Sequence, residues 1–230
     1  MCFSATGSFV ISGVLVGIGA TALARNSSVP HRLFAAIPLL FAAQQAAEGI
    51  VWLTMGDTPP TIVQRLAVNT YLGFALVVWP SWLPLSLKLI ERNGARRRWL
   101  TFLFWCGTLV SMFAALMLTG TPPEPRIAGH SITYDYQAGG RTALHIIYLL
   151  GYIVPTVIPF FVSTTSLART IGAMLIVSLA AAAIVQRDAL ASVWCFFAAI
   201  LSAVIVLAVA REQRIGQLAP SAAAPAGSDW

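Results

Sequence analysis

The chain has 230 residues, 58% of them hydrophobic and only 10% charged, where an ordinary soluble domain carries roughly 25% charged residues. That composition excludes a soluble globular protein. The net charge of +6 sits in short clusters between long apolar runs, which excludes a continuous basic face for nucleic acid.

A hydrocarbon core about 30 Å thick takes roughly 20 apolar residues as a helix. Seven stretches reach that length, at 5–24, 33–55, 62–89, 98–119, 143–163, 166–186 and 188–210. Backbone polar groups inside lipid must be satisfied within each segment, which rules out open sheet. The expected fold is all-α: a polytopic bundle of seven transmembrane helices forming one domain over residues 1–214.

The first run, preceded by the uncharged "MCFSATGS" and followed by Arg25, reads as an uncleaved helix rather than a signal peptide. Gly13 and Gly17 make a GxxxG pair, and Gly7, Ser8 and Gly19 keep nearby faces small, which predicts close helix approach there. The second span contains "FAAQQAAEGIVWL". Gln44, Glu48 and Trp52 follow one another by helical turns on a single stripe, with Gln45 beside them. A carboxyl group at that depth is costly, so Glu48 is expected to face the bundle interior, either with a partner or protonated. Counted from Met55, it lies on the order of 10 Å below the surface.

The third span brings Asn69 and Tyr71 in its first half, then Pro80 and Pro84 in "VVWPSWLPL". The fifth repeats that PxxxP spacing at Pro155 and Pro159. Each proline frees a carbonyl and bends its helix, either as a structural kink or as the broken helix of a transport site. Between the fourth and fifth spans, loop 120–142 is rich in Pro, Gly and polar residues, and "SITYDY" within it predicts a short strand or cap folded over the bundle. In the fifth span His145, Tyr148 and Tyr152 share a face; the histidine reads either as an interfacial hydrogen-bonding residue or as a ligand or proton relay. Trp194 and Cys195 enter the seventh span about two turns below its start. The tail, 215–230, has no periodic face and is expected to be disordered.

Cationic residues near span ends give the orientation. Arg25, Arg32, Lys88, Arg92, Arg96, Arg97, Arg98, Arg169, Arg211 and Arg214 share one side, whereas Arg65, Arg126, Arg141 and Arg187 on the other are accompanied by acidic residues. The amino terminus is therefore expected to be extracytoplasmic and the carboxyl terminus cytoplasmic.

Cys2, Cys106 and Cys195 are too widely spaced for a zinc ribbon or a thioredoxin-like centre. Depth nevertheless places Cys2, Glu48, His145 and Cys195 in one layer, together with Ser4, Gln44, Asn69 and Tyr148. If their faces converge, the first four offer thiolate, carboxylate and imidazole ligands of a kind that hold zinc or copper. The plainer reading leaves Cys2 and Cys195 as small apolar residues.

The stretches "MCFSATGSF", "AAIPLLFAAQQAAEGIVWL", "ALVVWPSWLPL" and "SVWCFFAAILSA" resemble an uncharacterised family of bacterial integral membrane proteins that begin Met-Cys-Phe-Ser-Ala, a domain of unknown function. The resemblance implies recurring motifs at Cys2, Phe3, Ser4, Gln45, Glu48, Trp52, Pro80 and Trp194 to Phe196, and a place in the bacterial cytoplasmic (inner) membrane, but no reaction. Lys88, the only lysine, lies at a helix end, which argues against a retinal protein.

Three functions fit these residues. The first is a binding or transport protein whose outward-facing polar pocket around Glu48, with Gln44, Gln45, Trp52, Asn69, His145 and Tyr148, accommodates a small molecule, metal ion or proton. The second is an intramembrane thiol- or metal-dependent enzyme using Cys2 or Cys195 with His145. The third is an accessory subunit of a homo-oligomer or larger membrane complex.

Overall fold

The computed structural model describes residues 4–25, 29–56, 59–120, 123–128, 131–135, 142–164, 168–185, 199 and 202. In chain order these form α1 (Ala5–Arg25), α2 (Val29–Ala35), α3 (Ile37–Leu53), α4 (Ile62–Leu72), a π-helical segment (Gly73–Val78), α5 (Trp79–Ile90), α6 (Gly94–Thr119), the strands β1 (Glu124–Ala128) and β2 (Ser131–Asp135), α7 (Thr142–Val162) and α8 (Ala168–Val185). Among the described residues, four stretches are long and apolar enough to cross a membrane: Ala5–Arg25, His31–Leu53, Ile62–Ile90 and Gly94–Thr119. Shorter apolar helices, Tyr148–Val162 and Ala168–Ala181, fall on the fifth and sixth predicted spans. The seventh lies outside the described residues except at Ala199, which is fully buried, and Ser202, whose hydroxyl donates to the Ala199 carbonyl at 2.7 Å. The expected disordered tail also lies outside them.

Ser4 starts α1 by accepting a hydrogen bond from the Gly7 amide at 3.1 Å, the usual work of a hydroxyl at a helix start. The helix then runs antiparallel to α3. Phe9 lies against Gly49, the Ser12 hydroxyl donates to the Ala42 carbonyl at 2.8 Å, and Gly19 seats Leu39 so closely that a Cβ there would come within 2.6 Å of it. The buried face is thus Ser8, Ser12, Leu15, Gly19 and Ala22. This corrects the GxxxG expectation. A Cβ at Gly13 or Gly17 meets nothing within 4 Å, because a four-residue step from Gly13 follows the opposite face of the helix. The close approach belongs to Gly19, with the small Ser8 and Ser12.

The third span is broken where proline requires it. The amide of Trp79 donates to the Phe74 carbonyl, a step of five residues that defines π geometry. In that register the Ala75 carbonyl awaits the N–H that Pro80 lacks. The hydroxyl of Tyr152, on α7, donates to it instead at 2.7 Å, and the Ser111 hydroxyl, on α6, donates to the Val77 carbonyl at 2.6 Å. α6 comes in against the same point through Gly107, where an added Cβ would overlap the Pro80 carbonyl oxygen and lie 3.2 Å from the Pro155 Cβ.

Two apolar cores result. One joins Ala47 and Val51 of α3, Ala67, Val68, Tyr71 and Leu72 of α4, Ala75 of the π segment and Ile132 of β2. The other joins Leu15, Phe34, Phe41, Trp79, Leu83, Leu87, Leu100, Phe160 and Ile171, among others. Strands β1 and β2 pair antiparallel, Ile127 opposite Ile132. Their hairpin closes over the first core by burying Ile132 and stacking Tyr134 on Tyr71 with ring centroids 5.0 Å apart. It is the cap that "SITYDY" predicts, added to an otherwise helical fold.

At the end away from the hairpin, Glu91 ties the α5–α6 turn to the end of α7. Its carboxylate accepts from the amides of Asn93 at 2.9 Å and Thr164 at 2.7 Å and from the Thr164 hydroxyl at 2.7 Å. Asn93 caps α6 by accepting from the Arg96 amide at 3.1 Å, and the Arg96 guanidinium donates to the Val162 carbonyl at 2.9 Å. Burial pushes the Glu91 carboxyl up, but the donors from Thr164, Asn93 and Ser163 outweigh it and hold the group below the usual glutamate range.

Candidate functional site

α3 buries most of its surface, and its few polar side chains go in with it. Gln44, Gln45 and Glu48 are each completely buried, lying between Phe41 and Ala42 of one core and Ala47 and Val51 of the other. Burial of three such groups demands partners. One is plain: the Trp79 indole donates to Gln44 Oε1 at 2.8 Å, while the same ring stacks on Phe41 with centroids 3.9 Å apart. α3 and the broken third span run antiparallel, so one turn from this bond towards the hairpin stand Glu48 on α3 and Ala75 on the π segment. Tyr152 reaches that level from α7, with Tyr148 one turn nearer the hairpin, its ring 6.4 Å from that of Tyr152.

Hydrogen bonding in this layer is incomplete. The Gln44 Nε2, the Ser8 hydroxyl and the Tyr148 hydroxyl are buried without a hydrogen-bond partner among the described residues. The register fixed by Ser12 with Ala42 and Phe9 with Gly49 puts Ser8 level with residues 46–50, the turn that carries Glu48. Each unsatisfied buried donor costs about 1–3 kcal/mol, so the layer carries a deficit that a hydrogen-bonding occupant would relieve.

The expected site residues divide accordingly. Gln44, Gln45 and Glu48 come together, and Tyr148 lies one turn beyond Glu48 towards the hairpin. Trp52, half-buried, packs against the hairpin-side core. Asn69 departs from expectation: it is on the exposed face of α4, while its neighbours Val68 and Tyr71 turn inward. His145 falls in the first turns of α7, but its side chain lies outside the described residues, as do Cys2 and Cys195. Among the described residues no three of His, Cys, Asp and Glu gather as a metal set. Of the four tentative ligands, Glu48 is the one whose surroundings are described.

Sequence reasoning passed over Trp79, Phe41 and Ser8. Trp79 carried a signal, as an indole directly before the proline that breaks its span. Ser8 and Phe41 carried none, because nothing in a run of small or apolar residues tells which face will meet α3.

Among the described residues, four helices long and apolar enough to cross a membrane and a buried polar layer between two apolar cores are the features of a helical membrane protein. The chain belongs to a family of unknown function (DUF6629), which matches residues 1–221. No curated protein and no solved structure matches it.

Proposed function

We propose that the protein is a multi-pass binding or transport protein of the bacterial cytoplasmic membrane, with seven spans, an extracytoplasmic amino terminus, and a polar pocket around Glu48 that takes a small molecule, metal ion or proton from the outer side. The observation that carries this reading is the complete burial of Gln44, Gln45 and Glu48 together, opposite a span broken at Gly73–Val78. Ionisable groups kept at such depth mark ligand and proton paths, and broken helices with freed carbonyls are how transporters build a site inside the membrane. The positive residues near the Arg25, Arg96 and Arg169 ends of the spans support the orientation.

A second reading, as a subunit of a homo-oligomer or larger complex, draws on Asn69. A polar amide exposed part-way along an apolar helix gains a hydrogen bond by meeting another helix.

Elemental and mass analysis of gently extracted full-length protein tests the first reading, with Glu48→Gln alongside. A stoichiometric species in the wild type that is lost from a folded Glu48→Gln variant is the expected result. The same species at full occupancy in both would remove Glu48 from the site, and a bare protein co-purifying with a fixed partner would favour the second reading.

A further inference from the structure

We infer that the site holds its ligand by an oxygen acceptor placed against the amide nitrogen of Gln44, and that the ligand is a small amide-like molecule carrying a carbonyl-type oxygen with an N–H beside it. This rests on the functional reading above and gives it a chemistry. The indole Nε1–H of Trp79 can only donate, so the amide atom it meets at 2.8 Å is the Gln44 oxygen. With Oε1 committed, Gln44 is left presenting two N–H donors from a completely buried side chain, and Nε2 has no hydrogen-bond partner among the described residues. Phe41, stacked on the indole at 3.9 Å, holds the ring that sets this orientation.

Two further unsatisfied groups lie nearby, the hydroxyls of Ser8 and Tyr148, each able to donate or to accept. A metal cation is repelled by N–H hydrogens and seeks oxygen, so it finds no ligand on the N–H2 face that Gln44 turns away from Trp79. A carbonyl oxygen is what an N–H2 group accepts as a partner. Glu48, one turn along α3 from Gln44 and equally buried, is the carboxylate this inference assigns to the N–H at the ligand's other end. Trp79 is on this account a positioning residue, acting on the ligand through the Gln44 amide.

The test uses full-length protein in mild detergent and three probes, acetamide, propylammonium and zinc ion, read by the shift of the thermal unfolding midpoint with probe concentration. Acetamide is expected to raise the wild-type midpoint saturably, and Gln44→Leu to abolish that shift. Trp79→Phe, which lets the amide turn over, is expected to weaken acetamide roughly tenfold, the loss of about one hydrogen bond's discrimination. Gln44→Glu keeps the acceptor for Trp79 and replaces the donors, so it serves where Gln44→Leu fails to fold, with the same expected loss.

The inference is overturned if only zinc or propylammonium stabilises the protein, if acetamide acts equally on wild type and the Gln44 variants, or if no probe shifts the midpoint, in which case ordered water completes the layer. Glu48→Gln separates the two claims. Acetamide binding lost in Glu48→Gln but kept in the Gln44 variants would fail this inference and keep the functional reading; binding lost in the Gln44 variants, with the native bound species unaffected by Glu48→Gln, would do the reverse.

Discussion

The Tyr152 hydroxyl stands 2.7 Å from the Ala75 carbonyl and donates to it, filling the place of the backbone N–H that Pro80 does not have. A side chain from α7 thus completes the hydrogen bonding of a break in the third span. Two side chains close the break, Tyr152 at the Ala75 carbonyl and Ser111 at the Val77 carbonyl, where the bilayer core offers no bulk water in their place.

Tyr152→Phe is therefore expected to cost about 1–3 kcal/mol, since it leaves a buried carbonyl unpaired. Tyr148→Phe removes a hydroxyl that has no partner among the described residues and is expected to leave stability unchanged or raise it. Denaturant titration of the two variants in the same micelle makes the comparison. Equal losses would show that the phenol rings, rather than the hydrogen bond, carry the contribution.

Glycine position matters in the same way. Gly107→Ala drives a Cβ into the Pro80 carbonyl, where backbone on both sides can yield only by separating α5 from α6. A loss of at least about 1–3 kcal/mol is expected. Gly13→Ala and Gly17→Ala meet open space and are expected to fold as well as wild type. Yield and thermal midpoint of the three variants check the contrast.

The Glu91 network makes stability pH-dependent. Its folded carboxyl titrates below the unfolded value of about 4.3, because the amide and hydroxyl donors outweigh the effect of burial. The stabilisation is thus fully present above that value and is lost as pH falls through the lower, folded pKa. Glu91→Gln is expected to be less stable at neutral pH and to lack the acid-side loss between those two pKa values. Unfolding midpoints measured from neutral pH downward decide it; parallel curves for variant and wild type would assign the acid transition to another group.

Ile132 anchors the hairpin in the core of Val51, Val68 and Tyr71. Ile132→Ala is expected to cost about 2–5 kcal/mol and to expose the strands to protease, since the Tyr134 stack alone is worth roughly 0.5–1.5 kcal/mol beyond its buried area. Limited proteolysis followed by mass analysis reads the effect directly. An intact hairpin at wild-type protease levels would show that the cap is held by its strand pairing.

Much of the architecture was legible because lipid imposes simple rules. Long apolar runs become helices, and a carboxyl group among them goes to the interior, as Glu48 does. A polar loop with alternating residues becomes the hairpin. What could not be read was rotation about each helix axis. Asn69 and Tyr71 are two residues apart on the same helix and end on opposite sides, as do Gly13 and Gly19, six apart on α1; an apolar run offers no amphipathic contrast to say which face turns inward. The proline pattern announced a break but not its form. That form depends on a tyrosine more than seventy residues later in the chain.

The two apolar cores meet along α3 between Ala42 and Ala47 and along the third span between Ala75 and Trp79. The buried glutamines lie on that boundary, and the π segment crosses it. The polar layer is therefore a seam between two separately packed storeys rather than a hole cut into one. The glutamines thus sit where the packing of one storey ends and that of the other begins, with the π segment spanning the same level.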